Sequence, residues 1–339
     1  MATGRWVLGL LVVTAALYAP VRTAPMVYED THTANAAVQW SVPSRAFSHW
    51  TFQQTEGRPD RAHLVNVGLH LVNGLLVYAL VVALIPGTAA VWASGIWLLH
   101  PLNSAAVSYI SARTDLLVTF GVLLALVAML QARWGWYRWV GVAAGGLVAA
   151  ASKEIGLIAG LLLVLTLLIW RPTWTLARWS LVGGGTLAGL ALLPRLASWV
   201  AMDPAYGGSA VPLSEFLILQ LAATWHLLLL VVPSPLWLHS WSIDHDALAI
   251  GMVGQVSAVM VTGGALAVVA ALWRITPALT WAVLWVAVAL LPRFLAPSSE
   301  FVTEPQMALP MVGISVGLGV WASRLWAWRP STQKAIVYG

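Results

Sequence analysis

Long apolar runs separated by short polar breaks set the rhythm of this chain. The runs occupy residues 6–21, 63–84, 88–99, 113–130, 140–151, 155–170, 181–193, 213–232, 248–273, 277–291 and 307–328. Several approach or exceed the ~18–20 residues that a helix needs to cross a hydrocarbon core. They lack the polar face that a helix of a soluble domain would carry. They also lack the short alternating strands of a transmembrane barrel. The pattern predicts an all-α polytopic membrane protein with about ten or eleven transmembrane helices.

The breaks set the expected topology. Arg5 precedes the first run, Arg133, Arg138, Arg171, Arg178 and Arg274 fall in breaks, Arg324 lies near the end of the last run, and Arg329 and Lys334 follow it. The positive-inside tendency places such residues in the cytoplasm, and the N-terminus with them. The first run resembles a signal peptide, but it is long and no small-residue cleavage site ends it, so it reads as a retained span. Eleven crossings would put Arg324 and Arg329 outside, and Glu304 opposite Asp30. Ten crossings repair both if one segment between Leu181 and Val232 stops short. The stretch 215–226 is the most polar, with Glu215, Gln220 and His226, and is expected to be that segment.

The polar positions are few, which makes them informative. The first long break, residues 22–62, forms an outer loop with Glu29, Asp30, Arg45, His49, Glu56, Asp60 and other charges. Trp40, Phe47, Trp50 and Phe52 are interleaved with them. That mixture fits either a short helix lying on the membrane surface or a solvated loop with aromatic anchors. In the second run, His63, Asn66, His70 and Asn73 recur at helical spacing and share a face. Such a stripe faces protein or a watery cavity, not lipid; interhelical hydrogen bonding is its packing role. His100 ends the next run, and Arg113 and Asp115 open the one after. Lys153 and Glu154 sit between two apolar runs with no room for a loop. A charge in lipid costs ~2.5 kcal/mol or more, so this pair is expected at the outer mouth of the bundle, close to Arg113 or Asp115. Glu304 lies in the last polar break.

Composition narrows the classes. Hydrophobic residues make up 60% of the chain and charged ones 9%. Cysteine is absent, which excludes disulfides, zinc-thiolate sites and a cysteine nucleophile. The net charge of +5 is spread without a basic run, so no nucleic-acid partner is expected. The 21 tryptophans are expected as interfacial anchors. No internal repeat is visible. Residues 1–330 read as one membrane domain, and 331–339 as a short tail.

The order of these features resembles the GT-C membrane glycosyltransferases, and within them the TMTC-like O-mannosyltransferases without their tetratricopeptide array. The resemblance rests on Glu29-Asp30 and on the stretch from His63 through Asn66 to His70. It continues with His100-Pro101, Ala106 to Leu117, Ser152-Lys153-Glu154 followed by Ile155-Gly156, Leu229 to Leu236 with Trp241-Ser242, and Phe301 to Glu304 with Leu309-Pro310. The chain departs from the family in having Glu29 where the first of two aspartates stands. It departs again in Pro305, where a basic residue follows the glutamate, and in Ala308, where a tyrosine precedes Leu-Pro. The resemblance implies a GT-C-like bundle that moves a sugar, such as mannose, from a polyprenyl-phosphate donor to a protein or glycan acceptor. The donor's lipid tail would lie among the spans. Asp30 would be the base, assisted by Glu29. His63, His70, His100, Arg113, Asp115, Lys153, Glu154 and Glu304 would bind substrate. No cofactor is implied, although Glu29 and Asp30 offer a divalent metal two carboxylates, a thin ligand set. A bacterial inner-membrane location with an outward-facing site is expected. The rival readings are a transporter, with polar spans lining a pathway, and a non-catalytic membrane subunit built on the same fold.

Overall fold

A computed structural model of the chain describes residues 2–26, 30, 45–55, 58–131, 135–170, 213–232, 252–272, 276–294 and 304–328. All regular elements among the described residues are helical. The helices are α1 (Ala2–Tyr18), α2 (Ala46–Gln53), α3 (Pro59–Leu84), α4 (Ala89–Leu99), α5 (Ser104–Ser108) and α6 (Arg113–Leu130). They continue as α7 (Tyr137–Ala150), α8 (Ala159–Trp170), α9 (Leu213–Leu229), α10 (Met252–Leu272), α11 (Pro277–Leu290) and α12 (Pro310–Ala327). Four segments are long and apolar enough to cross a membrane: Gly4–Thr23, Pro59–Leu84, Arg113–Leu130 and Pro277–Phe294. They mark a membrane protein. Exposed Leu8, Val12 and Leu17 on α1, and Val256, Val259 and Leu266 on α10, give these two helices apolar outer faces.

Side-chain contacts fix the directions of neighbouring helices. Trp97 near the end of α4 donates from its indole N–H to the Ala308 carbonyl, just before α12 (3.1 Å). Trp285 near the end of α11 does the same to Leu309 (2.9 Å). The Val231 carbonyl, beyond α9, pairs with His100 beyond α4 (2.9 Å). The ends of α4, α9 and α11 and the start of α12 therefore meet at one end of the bundle.

The stretch 215–226 belongs to the unbroken helix α9, which at 1.5 Å per residue extends about 25 Å. Its polar positions Gln220 and Thr224 are turned inward and buried, away from lipid. The run 181–193 lies outside the described residues.

Lipid tails are as apolar as leucine, so helices in a membrane gain little from hydrophobicity and associate through close van der Waals packing. Small residues supply that closeness. On α6, Gly121 and Ala125 face Gly145 and Ala149 of α7. A Cβ on Gly121 would sit 2.5 Å from the Gly145 carbonyl oxygen and 2.6 Å from the Ala149 nitrogen. Between α12 and α4, a Cβ on Gly319 would sit 2.7 Å from the Ala93 nitrogen. Trp97, Trp281 and Trp285 are fully buried, in contrast to the interfacial position expected for tryptophan. Each indole N–H has an acceptor inside, Trp281 using the Thr166 hydroxyl (3.0 Å), so the ring's one polar group is satisfied there.

The α6–α7 crossing gives a direct test. Gly121→Leu drives a side chain into backbone that cannot swing aside, and the expected loss is about 1–3 kcal/mol from overpacking. Gly146→Ala, at a position with open space around it, is the control. Thermal unfolding in detergent should show a lower midpoint for the first variant and little change for the second.

Candidate functional site

The charged residues that the sequence singles out collect at the end of the bundle where α3 and α6 begin. The scaffold there is the polar stripe of α3. Asn66 donates from Nδ2 to the Tyr109 carbonyl (2.8 Å), and Asn73 donates to Leu116 (2.9 Å). These bonds tie the segment before α6, and α6 itself, to α3. The stripe is fully buried, which is what an intramembrane amide requires.

Arg113 opens α6 and is fully buried. Its Nε donates to Asn66 Oδ1, its Nη1 to the Thr51 carbonyl and its Nη2 to the Ala62 carbonyl, each at 2.9 Å. The Phe52 ring lies 4.7 Å from its guanidinium carbon, within cation–π range. One side chain thus joins α2, α3 and α6. Proximity in sequence gives no sign of this; Thr51 and Phe52 look like loop anchors when read in order.

Asp30 hangs from the same corner. The Ser111 amide donates to its Oδ1 (2.8 Å), and the side chain is fully buried. Ser111 lies two residues before α6, near a helix start, where the dipole favours a negative charge. Arg113 also lies in its electrostatic range. Glu29 lies outside the described residues.

Two ion pairs flank this corner. Lys153 Nζ meets both Asp115 oxygens, at 2.8 and 3.0 Å. Arg45 meets Glu154 through Nε (2.9 Å) and Nη2 (3.3 Å). The Phe47 amide donates to the Ala151 carbonyl (2.8 Å), so α2 lies across the Lys153–Glu154 turn as a strap. Lys153 and Glu154 take different partners: Lys153 pairs with Asp115, as its wedged position demands, whereas Glu154 reaches into the first loop for Arg45. The pairs differ from Arg113 in access. The Lys153 and Arg45 side chains keep 20% and 25% of their surface, and the Arg113 side chain keeps none.

Glu304 reaches this end by another route. It begins the 3-10 turn Glu304–Met307, which packs against the 3-10 turn Pro101–Asn103 and α5. The two tryptophan bonds at Ala308 and Leu309 hold the turn in place. Burial raises the Glu304 carboxyl above its ordinary pKa.

Two histidines of the set stand apart. His70 is two turns deeper on α3, between the rings of Tyr18 and Trp97 (centroids 5.3 and 4.6 Å), with Nε2 on the Leu98 carbonyl at 3.0 Å. His100 joins helix ends: its Nδ1 accepts from the Leu102 amide (3.2 Å) and its Nε2 faces the Val231 carbonyl (2.9 Å). An accepting Nδ1 leaves the proton on Nε2, which then donates. Among the described residues no three His, Asp or Glu side chains gather as a metal cluster. Comparison with protein-family models, curated proteins and solved structures gives no match to this chain.

Two outcomes follow from these bonds. Arg113→Leu strands Asn66 and two carbonyls and leaves Asp30 facing no guanidinium; losing a partner of buried charge costs about 3–5 kcal/mol. Arg113→Lys cannot serve three acceptors in the plane of a guanidinium and should recover only part of the loss, read as the unfolding midpoint in detergent. His100 gives a pH test. Burial lowers its pKa below 6.5, against the opposing pull of the Val231 bond. The folded state therefore holds it neutral, and its stabilisation, full above pH 6.5, is lost as pH falls through the window below that value. A protonated Nδ1 would also lose the Leu102 bond. His100→Gln should flatten the fall in unfolding midpoint between pH 7.5 and 5.5, taken as a range of about one unit either side of an ordinary histidine.

Proposed function

We propose that this chain is a membrane glycosyltransferase of the GT-C type, moving a sugar from a polyprenyl-phosphate donor to an acceptor hydroxyl. The observation that carries the reading is convergence. Asp30, Arg113, Asp115, Lys153, Glu154 and Glu304 come from segments scattered along the chain and lie at one end of an apolar bundle. Charge gathered at the mouth of a membrane bundle is costly, and such groups mark functional sites. The resemblance in their order along the sequence supplies the reaction class.

In this reading Asp30 takes the acceptor's proton. The acceptor oxygen attacks the anomeric carbon, and the carbon–oxygen bond to phosphate breaks with its electrons leaving on the phosphate. The displacement is single and inverts the centre. The Ser111 amide orients the Asp30 carboxylate. The departing phosphate needs a cation. Lys153 suits that task better than Arg113, because it keeps accessible surface while the guanidinium is enclosed. Arg113 then acts as the frame that holds Asp30 and α2. Arg5, Arg138 and Arg324 lie at the opposite end of the bundle, and the positive-inside tendency makes that end cytoplasmic. The site would then face outward from a bacterial inner membrane. The tail of the donor would lie along the apolar outer faces, and the acceptor, a protein or glycan, would arrive from the aqueous side.

Membranes containing the chain, incubated with a panel of radiolabelled polyprenyl-phosphate sugars and mixed acceptors, should transfer label. Asp30→Asn keeps an oxygen for the Ser111 amide and removes the base. Its rate should fall by ~10²–10⁴, the usual contribution of a general base, with only a modest loss of thermal stability. Lost stability with an unchanged rate would make Asp30 a cap for α6 and not the base.

A further inference from the structure

Glu304 is a charged residue that the proposed reaction leaves without a task. It opens the 3-10 turn Glu304–Met307, and Gln306 lies in the same turn. Both side chains are half-buried, so each keeps some surface open. Among the described residues, no hydrogen bond or ion pair reaches either one. Asp30, Asp60, Asp115 and Glu154 each have such a partner. His63, at the Arg113 corner, is fully buried against the Ala24 carbonyl and belongs to the scaffold. A half-buried carboxyl has lost part of its hydration, and without a partner that loss goes uncompensated.

The turn is firmly held, which gives the pair a fixed geometry. Pro305 stands between them and locks one backbone dihedral. Its carbonyl accepts from the Ala308 amide at 3.1 Å. Trp97 and Trp285 donate to the Ala308 and Leu309 carbonyls just beyond. The turn packs on Pro101–Asn103 and on α5. Three residues past α5 stands Ser111, whose amide holds Asp30. The segment that positions the proposed base therefore also walls the Glu304 turn.

The chemistry of the pair selects a neutral guest. A carboxylate repels phosphate, and neither Pro305 nor Gln306 brings a positive charge to offset it. A carboxyl accepts from hydroxyls, and the Gln306 amide both donates and accepts. Neighbouring hydroxyls on a sugar ring match that set. We propose that Glu304 and Gln306 form a subsite for sugar hydroxyls, with the phosphate held elsewhere. The inference rests on the glycosyltransferase reading and deepens it. The sugar of the donor and that of a glycan acceptor share this chemistry, and the test separates them.

Binding is read first without turnover. Full-length protein in detergent is titrated with methyl α-mannoside, methyl α-glucoside and methyl α-galactoside, followed as NMR saturation transfer from protein to glycoside. At least one should bind saturably. Glu304→Ala and Gln306→Ala should each weaken that binding roughly tenfold, the upper range for one net hydrogen bond. Glu304→Gln supplies a readout that a structural carboxyl would not give. Burial raises the Glu304 pKa, so its ionised form costs stability at neutral pH, and the cost disappears as pH falls through that raised pKa. The glutamine variant should unfold at a higher midpoint than wild type at neutral pH, with the gap closing in acid. In the transfer assay, a raised donor KM in the alanine variants assigns the subsite to the donor sugar, and a raised acceptor KM assigns it to a glycan acceptor. Transfer with both KM values unchanged overturns the subsite while the reaction class stands. A wild-type chain that transfers nothing, yet binds a glycoside through Glu304 and Gln306, keeps the subsite and loses the reaction class. No saturable glycoside binding, or binding that both alanine variants retain, overturns the subsite. So does a response to lysine amide in place of the glycosides, which would make Glu304 a cation site. A midpoint lowered by Glu304→Gln would make the carboxyl structural and overturn it as well.

Discussion

A single buried guanidinium organises the end of this bundle. Arg113 is fully buried, and a charge there is tolerated only when its donors are filled. Asn66 and two backbone carbonyls fill them, and Phe52 covers the face of the group. Meeting that demand fixes three elements at once. The first-loop helix α2 is drawn down onto the bundle, the start of α3 is locked to the start of α6, and the Ser111 turn is presented to Asp30. The site is thus a consequence of how one charge is satisfied.

The same rule explains the ion pairs. Lys153 and Glu154 follow one another between helices, yet each turns to a different partner because neighbouring side chains on a tight turn diverge. Asp115 is offered by the first turn of α6, where the helix dipole also supports a carboxylate. Arg45 is offered by the strap that Arg113 holds in place. Burial of one ion pair is weak evidence for stability. Three charged anchors meeting at one end are better understood as the means of keeping a polar site assembled at the mouth of an apolar bundle.

Below that end, the bundle is built for closeness. Gly121 against Gly145 and Gly319 against Ala93 let backbones touch. Three buried tryptophans fill the wider gaps and spend their N–H groups on acceptors in neighbouring helices. Two of those acceptors, Ala308 and Leu309, precede Pro310 and steady the turn that carries Glu304. Packing in the middle of the bundle and chemistry at its end are joined through these bonds.

Apolar run length alone determined that the chain is helical and membrane-embedded, because that constraint comes from bilayer thickness and acts on each segment by itself. The helical spacing of His63, Asn66, His70 and Asn73 determined that they share a buried face, again a local property. Their separate duties were not legible. Asn66 braces Arg113 and His70 is packed between aromatic rings, and these differences depend on what each helix meets. That Gln220 and Thr224 of the polar stretch 215–226 turn inward and are buried was likewise not legible, since it depends on the helices that α9 meets. The partners of Arg113 and Glu154 lie some fifty and a hundred residues away in the chain. Only the tertiary structure could supply them, because a charge buried in an apolar bundle takes whichever acceptor the fold brings within 3 Å, and the sequence records no such distance.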